Sequence, residues 1–496
     1  MKVFVTGATG FVGGAVCLAL QREGHSVVAF VRNVERARGQ LGADVELLAT
    51  ECDDDELARA LSTCGGVINL AGAPVAQRWT DAAKRAIVDS RVGLTRRIVD
   101  AMRSARASGN SSASGPVVLV SASAVGIWGD AGDRELDADS APADGFLAQL
   151  CVDWEAAATE ARNFGVRVAC VRIGLVMGAE GGALASMLPA FEHGVGGRLG
   201  TGRQYMPWIH LDDLVRLFLE ALAKPDYDGV YEGVGPAPVT NAEFTRTLAK
   251  VLGKPAFLPV PRAALWLLFG GAGRVITAGQ RVFPRRTQAA GFRFEHPELE
   301  AALRDVLDAS SVRIARGAGG APKSDYIERR RPRYRLEQEL LIDAPLEQVF
   351  AFFQQPENLG PLTPPNLDFV IETPGPVEMK QGARIEYRIA LGPIPMRWVT
   401  HIDLYEPGHA FVDVQEAGPY KAWYHRHEFE AVGDKTRMRD TVYYGVPLEP
   451  LGRIGHALFV GPQLRKIFGF RAKAVARRFG PRSSAAAVNA ARDDAA

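Results

Sequence analysis

The segment that most restricts what this chain can fold into is Thr6-Gly7-Ala8-Thr9-Gly10-Phe11-Val12-Gly13, which closes an apolar run at the N-terminus. Glycines at this spacing between a strand and a helix leave room for a tight turn (Gly7), for backbone close to a pyrophosphate (Gly10) and for a helix packed hard on a sheet (Gly13). The helix that follows aims its unpaired N–H groups and the positive end of its dipole at the same place, which suits phosphate. Thr6, Gly7, Gly10, Phe11, Val12 and Gly13 are therefore expected at a dinucleotide.

The residues downstream agree. Strand-like runs at Val3–Thr6, Ser26–Val31, Val45–Leu48, Val67–Leu70, Val117–Ser121 and Val168–Arg172 alternate with amphipathic segments at Val12–Arg22, Asp54–Leu61, Ala82–Met102 and Leu147–Ala161. Nearly all-apolar strands separated by helices predict an α/β, Rossmann-type doubly wound parallel sheet. The second strand ends in Val31-Arg32-Asn33, where an NAD site usually carries an acidic residue for the ribose 2′-hydroxyl. Arg32 suits a 2′-phosphate instead, so the expected cofactor is NADP(H). Asp53 is expected near the adenine, and Leu70-Ala71-Gly72 beneath the cofactor. Arg106 to Pro116 predicts a surface loop. From Ala179 the alternation loosens into a small substrate lobe with helices at Asp212–Ala223 and Asn241–Leu252, the second opened by a capping box, Thr240-Asn-Ala-Glu243. A further apolar helix is expected from near Pro261.

A chain of 496 residues is too long for one ordinary core. The reading is a nucleotide domain with its lobe over 1–308, a Gly/Ala/Arg-rich linker over 309–332, a second domain over 333–480 and a disordered tail over 481–496. A net charge of +1 gives no general attraction to nucleic acid or anionic membrane. The five cysteines, Cys17, Cys52, Cys64, Cys151 and Cys170, are scattered and odd in number, which argues against a disulfide framework or zinc site and fits a reducing cytoplasm. The opening strand argues against a signal peptide, and the most apolar stretch, Ala263–Gly271, is too short to cross a bilayer.

In the second domain Tyr334–Ile342 predicts a strand and Leu346–Phe353 a short helix. Strands are then expected at Arg384–Ala390, Met396–Leu404, Ala422–Glu430 and Thr436–Tyr444, before a long helix over about Gly452–Phe479. Alternation places Trp423, His425, His427 and Phe429 on one face. Two histidines so spaced could bind a metal, but the sequence offers no evident third ligand, so an aromatic wall is expected and no metal.

Two resemblances sharpen this. Val67-Ile-Asn-Leu-Ala-Gly-Ala-Pro74, Ser121-Ala-Ser-Ala124 with Trp128-Gly129-Asp130, Arg172-Ile-Gly-Leu-Val176, Gly202-Arg-Gln-Tyr-Met-Pro-Trp-Ile-His-Leu-Asp-Asp213, Gly279-Gln-Arg281 and Ala290-Gly-Phe292 span about Met1 to Asp308. They resemble the extended short-chain dehydrogenase/reductases, in particular an atypical NAD(P)-dependent epimerase/dehydratase-like family sometimes labelled cell-division-inhibitor-like. The resemblance implies a catalytic serine at Ser123 (Ser121 the neighbouring alternative), Ser121 and Arg172 near the cofactor, and Tyr205, Trp208 and His210 around the substrate. The Tyr-x-x-x-Lys pair of mainstream members is missing. Cys151 and Glu155 stand at the equivalent positions, as replacement proton donors or as packing and ion-pair residues; for His210 a structural role leads. Ile342-Asp-Ala-Pro-Leu-Glu-Gln-Val-Phe350, Pro356-Glu-Asn-Leu359 and Leu362-Thr-Pro364 resemble the START-like, polyketide-cyclase-like superfamily over about Arg333 to Gly480, which implies an apolar ligand cavity.

The sequence therefore predicts an NADP(H)-dependent oxidoreductase or epimerase of a small molecule, with a fused domain for a hydrophobic ligand and a homodimer as an open option. A non-catalytic NADPH-binding sensor is the alternative that the missing Tyr/Lys pair favours. Cyclase or dehydratase chemistry in the C-terminal cavity is a third.

Overall fold

Seven short runs of β-branched and aliphatic residues find their partners in one sheet. The strands are β1 (Lys2–Thr6), β2 (Ser26–Val31), β3 (Val45–Ala49), β4 (Gly66–Asn69), β5 (Val118–Ala124), β6 (Arg167–Ile173) and β7 (Gly229–Gly233), in the order β7-β6-β5-β4-β1-β2-β3. β1 pairs in parallel with β2 and β4, β4 with β5, β5 with β6 and β6 with β7. This is the α/β doubly wound arrangement expected, and the order reverses between β1 and β4, where such sheets open a crevice for ligands. The computed structural model describes residues 1–107, 115–261, 277–308, 311–317, 319–391, 394–447 and 451–480. Most of the expected loop at Arg106–Pro116, the body of the apolar helix expected near Pro261, the stretch Ala263–Gly271 and the tail over 481–496 lie outside these residues.

The chain divides into two units: Met1–Arg32 with Glu46–Leu307, and Asn33–Val45 with Asp308–Arg482. In the first, α1 (Phe11–Arg22), α2 (Asp54–Ser62), α3 (Asp81–Val88), α4 (Leu94–Ala107) and α5 (Phe146–Thr159) bracket the sheet. Phe4, Val28, Phe30, Leu57, Leu61, Ile98, Met102, Leu119 and Val168 form a core on one face. At about 1.5–3 kcal/mol for each large side chain withdrawn from water, that cluster is a main source of the unit's stability. The helix expected over Ala82–Met102 is broken by a π-turn at Asp89–Gly93. Tertiary bonds account for it: Ser90 Oγ accepts from the Ala73 N–H at 2.9 Å, and Arg91 Nη1 donates to the Ala73 carbonyl at 3.0 Å.

The lobe is built around Leu184, Phe191, Trp208, Phe244, Leu248 and Leu303. Its helices Leu211–Ala223 and Asn241–Leu252 stand where the sequence puts them, and Thr240 and Glu243 form the capping box.

The second unit is an eight-stranded antiparallel sheet. Its strands are β8 (Val312–Arg316), β9 (Tyr334–Ile342), β10 (Val370–Ile371), β11 (Arg384–Leu391), β12 (Ile394–Glu406), β13 (Ala410–Ala417), β14 (Ala422–Val432) and β15 (Lys435–Gly445), in the order β8-β9-β15-β14-β13-β12-β11-β10. A helical run ends in α6 (Gly461–Phe479), whose Leu464 and Phe468 pack with Tyr334, Leu336, Trp398, Trp423 and Tyr444. The segment expected to be a linker is partly structured: β8 pairs with β9, and Asp325–Arg330 is helical with Ser324 as its cap. Its Gly/Ala/Arg content hid a strand that β9 holds by backbone bonds. Among the described residues no helix is long and apolar enough to cross a membrane.

Candidate functional site

The turn after β1 is built as the glycine pattern demands. Gly7 sits at φ +67°, and a Cβ there would stand 2.8 Å from the Leu70 carbonyl carbon; one on Gly13 would stand 2.1 Å from the Gly7 oxygen. β1, α1 and the strand end at Leu70-Ala71 are thus packed backbone to backbone. Gly10 occupies the N-cap of α1, where no side chain takes up the first-turn N–H groups, so these donors point outward at the sheet crevice.

The polar residues beneath the turn are tied to one another. Thr6 Oγ1 donates to Asn69 Oδ1 at 2.7 Å and accepts from the N–H groups of Leu70 and Ala71, each at 3.1 Å. Asn69 Nδ2 donates to Thr95 Oγ1 at 2.8 Å and Ser121 Oγ at 3.2 Å. Trp154 Nε1 donates to the same Thr95 oxygen at 3.0 Å. Thr6 and Ser121 are fully buried, so they position the loop; Leu70 and Ala71 are half-buried and Gly72 is exposed. The ring of Phe11 lies against Gly178 and Gly181, where any side chain would collide with it. Val12 is half-buried; Arg32 is exposed at the end of β2; exposed Asp53 caps α2, accepting from Glu56 N–H at 2.7 Å.

Three residues from three elements meet at the C-terminal end of β5. Ser123 Oγ donates to Glu155 Oε1 at 2.6 Å. Arg172 clamps the same carboxylate, Nε to Oε1 at 2.8 Å and Nη2 to Oε2 at 3.0 Å, and its Nη1 donates to the Ala138 carbonyl at 3.0 Å. The guanidinium also lies over the Trp128 ring, 5.1 Å from its centroid. Arg172 is therefore bound to Glu155. Its side chain and that of Glu155 are only 7% and 12% exposed, so this is a fixed ion pair that holds Ser123 in one rotamer.

Cys151 packs with Ile127, Trp128, Leu136, Val234 and Val282. Burial, and after it the negative charge of Glu155, pushes its thiol up to about 11, so it is a neutral thiol at physiological pH. Sequence reasoning missed Arg91. It lies over Trp154, 5.3 Å from the ring centroid, and a Cβ at Gly72 would stand 2.7 Å from it; burial lowers its guanidinium below the ordinary value. The π-turn that presents it carries no sequence mark.

The expected substrate residues separate. Tyr205 is half-buried under the Arg281 guanidinium, 5.4 Å away. Trp208 is core, its Nε1 donating to the Ala237 carbonyl at 2.9 Å. His210 is buried. Its Nδ1 accepts the Asp212 N–H at 3.1 Å, its Nε2 reaches Asp305 Oδ2 at 3.1 Å, and its ring stacks on His296 at 3.7 Å.

In the second unit a cavity of about 480 Å³ lies between the sheet and α6, with Tyr387, Trp398, Trp423 and Phe468 among its walls. His425 and His427 point into it from β14, as the strand alternation requires.

A parallel sheet with a glycine turn at its order reversal, and a serine paired with a buried ion pair at the end of the central strands, defines a dinucleotide-binding protein of the reductase and epimerase class. The NAD dependent epimerase/dehydratase family model matches residues 3–233, and a domain of unknown function, DUF1731, matches 260–306. The chain belongs to the NAD-dependent epimerase/dehydratase family. It is 39% identical over 307 residues to the chloroplastic epimerase family protein SDR39U1 homolog of Arabidopsis thaliana, covering 62% of this chain and 87% of that one. It is 32% identical over 308 residues to YfhF of Bacillus subtilis, covering 62% of this chain and 98% of that one. The crystal structure of human epimerase family protein SDR39U1 with NADPH superposes at a TM-score of 0.55 and 34% identity, over 62% of this chain and 99% of that one.

Proposed function

We propose that the first unit is an NADP(H)-dependent, epimerase-like oxidoreductase acting on a small carbonyl or alcohol, and that the second unit shelters a hydrophobic ligand as a START-like domain. The observation that carries the first reading is the uncapped N-terminus of α1 beside a turn that tolerates no side chain, with Arg32 exposed and no carboxylate at the end of β2. Family membership and the NADPH in the human structure support it. Gly7, Gly10, Phe11, Val12, Gly13, Leu70, Ala71 and Gly72 would hold the pyrophosphate and nicotinamide side. Arg32 would hold the 2′-phosphate and Asp53 the adenine, while Thr6 and Ser121 keep the loop in place. When bound, the cofactor supplies or accepts a hydride.

Ser123 would hold a substrate oxygen, and Glu155, which accepts from Ser123 Oγ at 2.6 Å, would take or return its proton. Arg172 keeps Glu155 oriented and compensated. This arrangement stands in for the absent tyrosine and lysine, and it leaves Cys151 as packing. The cavity of the second unit, mostly aromatic and aliphatic with a few polar groups, supports the ligand reading.

The test is to incubate the protein with NADPH deuterated at the transferable position and a metabolite extract, following the label by mass spectrometry. The expected result is label in one metabolite, reduced roughly 10²–10⁴-fold by Ser123→Ala and abolished by Gly10→Asp. Bound NADPH with no label transferred, across extracts and pH, overturns reductase chemistry and favours a sensor. The sensor reading has one observation of its own, the neutralisation of Glu155 by Arg172.

A further inference from the structure

The polar end of the second unit's cavity is a closed set of four side chains. In the sheet register Asp413 of β13 stands opposite His425, and Asp440 of β15 stands opposite His427. Each imidazole lies between the two carboxylates. Asp413 Oδ2 is 3.4 Å from His425 Nδ1 and 3.1 Å from His427 Nε2. Asp440 Oδ1 is 3.1 Å from His425 Nε2 and 2.7 Å from His427 Nδ1, the latter contact falling outside hydrogen-bonding geometry. Arg471 Nη1 from α6 lies 3.4 Å from Asp440 Oδ2. The histidines, Asp440 and Arg471 are buried, and the Phe411 ring stacks on His427 at 4.2 Å.

Counting donors shows what this set lacks. Four ring nitrogens face carboxylate oxygens, yet two neutral imidazoles carry only two N–H groups, so two contacts would set a lone pair against a carboxylate. Protonating one ring balances Arg471 and the two carboxylates but supplies three N–H groups for four contacts, and protonating both supplies the fourth while setting three cations against two carboxylates in an apolar wall. A divalent ion resolves both difficulties. Held by Asp413 Oδ2, His425 Nδ1 and His427 Nε2, it leaves His425 Nε2–H to donate to Asp440 Oδ1, with His427 Nδ1 2.7 Å from the same oxygen. That is the usual way in which an outer carboxylate orients metal-bound histidines. Ligand atoms about 2.0–2.1 Å from a zinc-like ion stand roughly 2.9–3.4 Å from one another. The two Asp413 separations of 3.1 and 3.4 Å fall in that range, and one ligand atom from each of the three residues lies within 4.8 Å of the other two.

We propose that Asp413, His425 and His427 bind a single first-row divalent transition ion, with Asp440 and Arg471 behind it and its open positions facing the apolar cavity. Two imidazoles and one carboxylate suit zinc or ferrous iron and disfavour magnesium or calcium, which prefer all-oxygen sites. Ion, two carboxylates and Arg471 leave one net positive charge. The ligand that completes the site is therefore an apolar molecule bearing an anionic oxygen, such as a carboxylate, phenolate or enolate. The ion site stands whether or not the first unit transfers hydride.

The test uses the full-length chain, stripped of metal by chelator and titrated with Co(II), followed by its visible absorption, and with Zn(II), followed by calorimetry. One equivalent of each is expected to bind. Asp413→Asn and His427→Gln should each weaken binding well beyond tenfold, and Asp440→Asn roughly 10–100-fold. NADPH affinity, measured on each variant, reports that the first unit is intact, and near-ultraviolet circular dichroism of the aromatic cavity reports the second. Failure of the unsubstituted chain to bind a stoichiometric ion overturns the proposal. So does binding that survives both ligand substitutions, which would place the ion elsewhere, for example at His210, Asp212, His296 and Asp305.

Discussion

At the scale of single residues the decisive feature is that Glu155, only 12% exposed, accepts from Ser123 and has one cationic partner, Arg172. Removing that partner leaves a carboxylate with little water and no counter-ion, and breaking such a pair generally costs about 3–5 kcal/mol. Arg172→Met should therefore lower the unfolding free energy measured in urea by that much, whereas Glu155→Gln, which keeps a hydrogen-bond partner for Ser123, should cost less. Equal costs for the two would mean that the guanidinium stabilises chiefly through its contact with Trp128. The buried thiols set a second expectation. Burial pushes Cys17 and Cys170 up to about 12 from an ordinary 9.0. Above pH 9 the unfolded chain sheds protons that the folded chain keeps, so their contribution is complete below pH 9 and declines as pH rises towards 12. The slope is about 1.4 kcal/mol per pH unit per thiol. Between pH 8 and pH 10 the two together should cost roughly 3 kcal/mol in denaturant stability, and a Cys17→Ala/Cys170→Ala variant should show a correspondingly flatter dependence.

At the scale of elements the turn after β1 makes a sharp contrast between neighbouring glycines. Gly13→Ala drives a methyl group to 2.1 Å from the Gly7 oxygen, so α1 must lift from the sheet. Gly14→Ala meets nothing closer than 3.7 Å, in a helix where alanine is favoured over glycine by roughly 1 kcal/mol. Gly13→Ala should abolish NADPH binding and lower stability, while Gly14→Ala should keep binding and raise the melting temperature. Fluorescence titration and thermal melts of the two side by side would check this. These elements were legible because their side chains obey one period throughout: β1, β2 and β4 to β6 are apolar on both faces, and β9 and Leu346–Phe353 fall on the residues expected. The elements not read are those whose pattern is broken by something only the fold explains. β7 is Gly-Val-Tyr-Glu-Gly, and its fully buried Glu232 accepts from the Ala138 and Thr287 N–H groups. β13 carries inward Asp413 among its apolar residues, and that aspartate is the third candidate ligand that spacing along the histidine strand does not show. Likewise Ser123 and Glu155 were each visible as candidates, but their bond joins residues 32 apart on a strand and a helix, and no spacing rule connects them.

At the scale of the whole molecule each unit has a core of its own. Phe4, Leu57, Ile98 and Leu119 close one, and Leu336, Trp398, Tyr444 and Phe468 close another. Separate cores of this size unfold as separate cooperative units, so calorimetry of the full chain should resolve two transitions rather than one. Each transition should then answer only to its own ligand. A ligand present at a hundred times its Kd stabilises the fold that binds it by about 2.7 kcal/mol, and does nothing for a unit it does not touch. NADPH should raise one transition by a few degrees and leave the other in place, and Gly13→Ala should remove that shift selectively. An apolar carboxylate that fills the second cavity should do the reverse, with Trp398→Ala weakening its effect. Were NADPH to raise both transitions together, the two folds would be energetically coupled, and the cavity's ligand would have to be sought among molecules that also alter the affinity for the nucleotide.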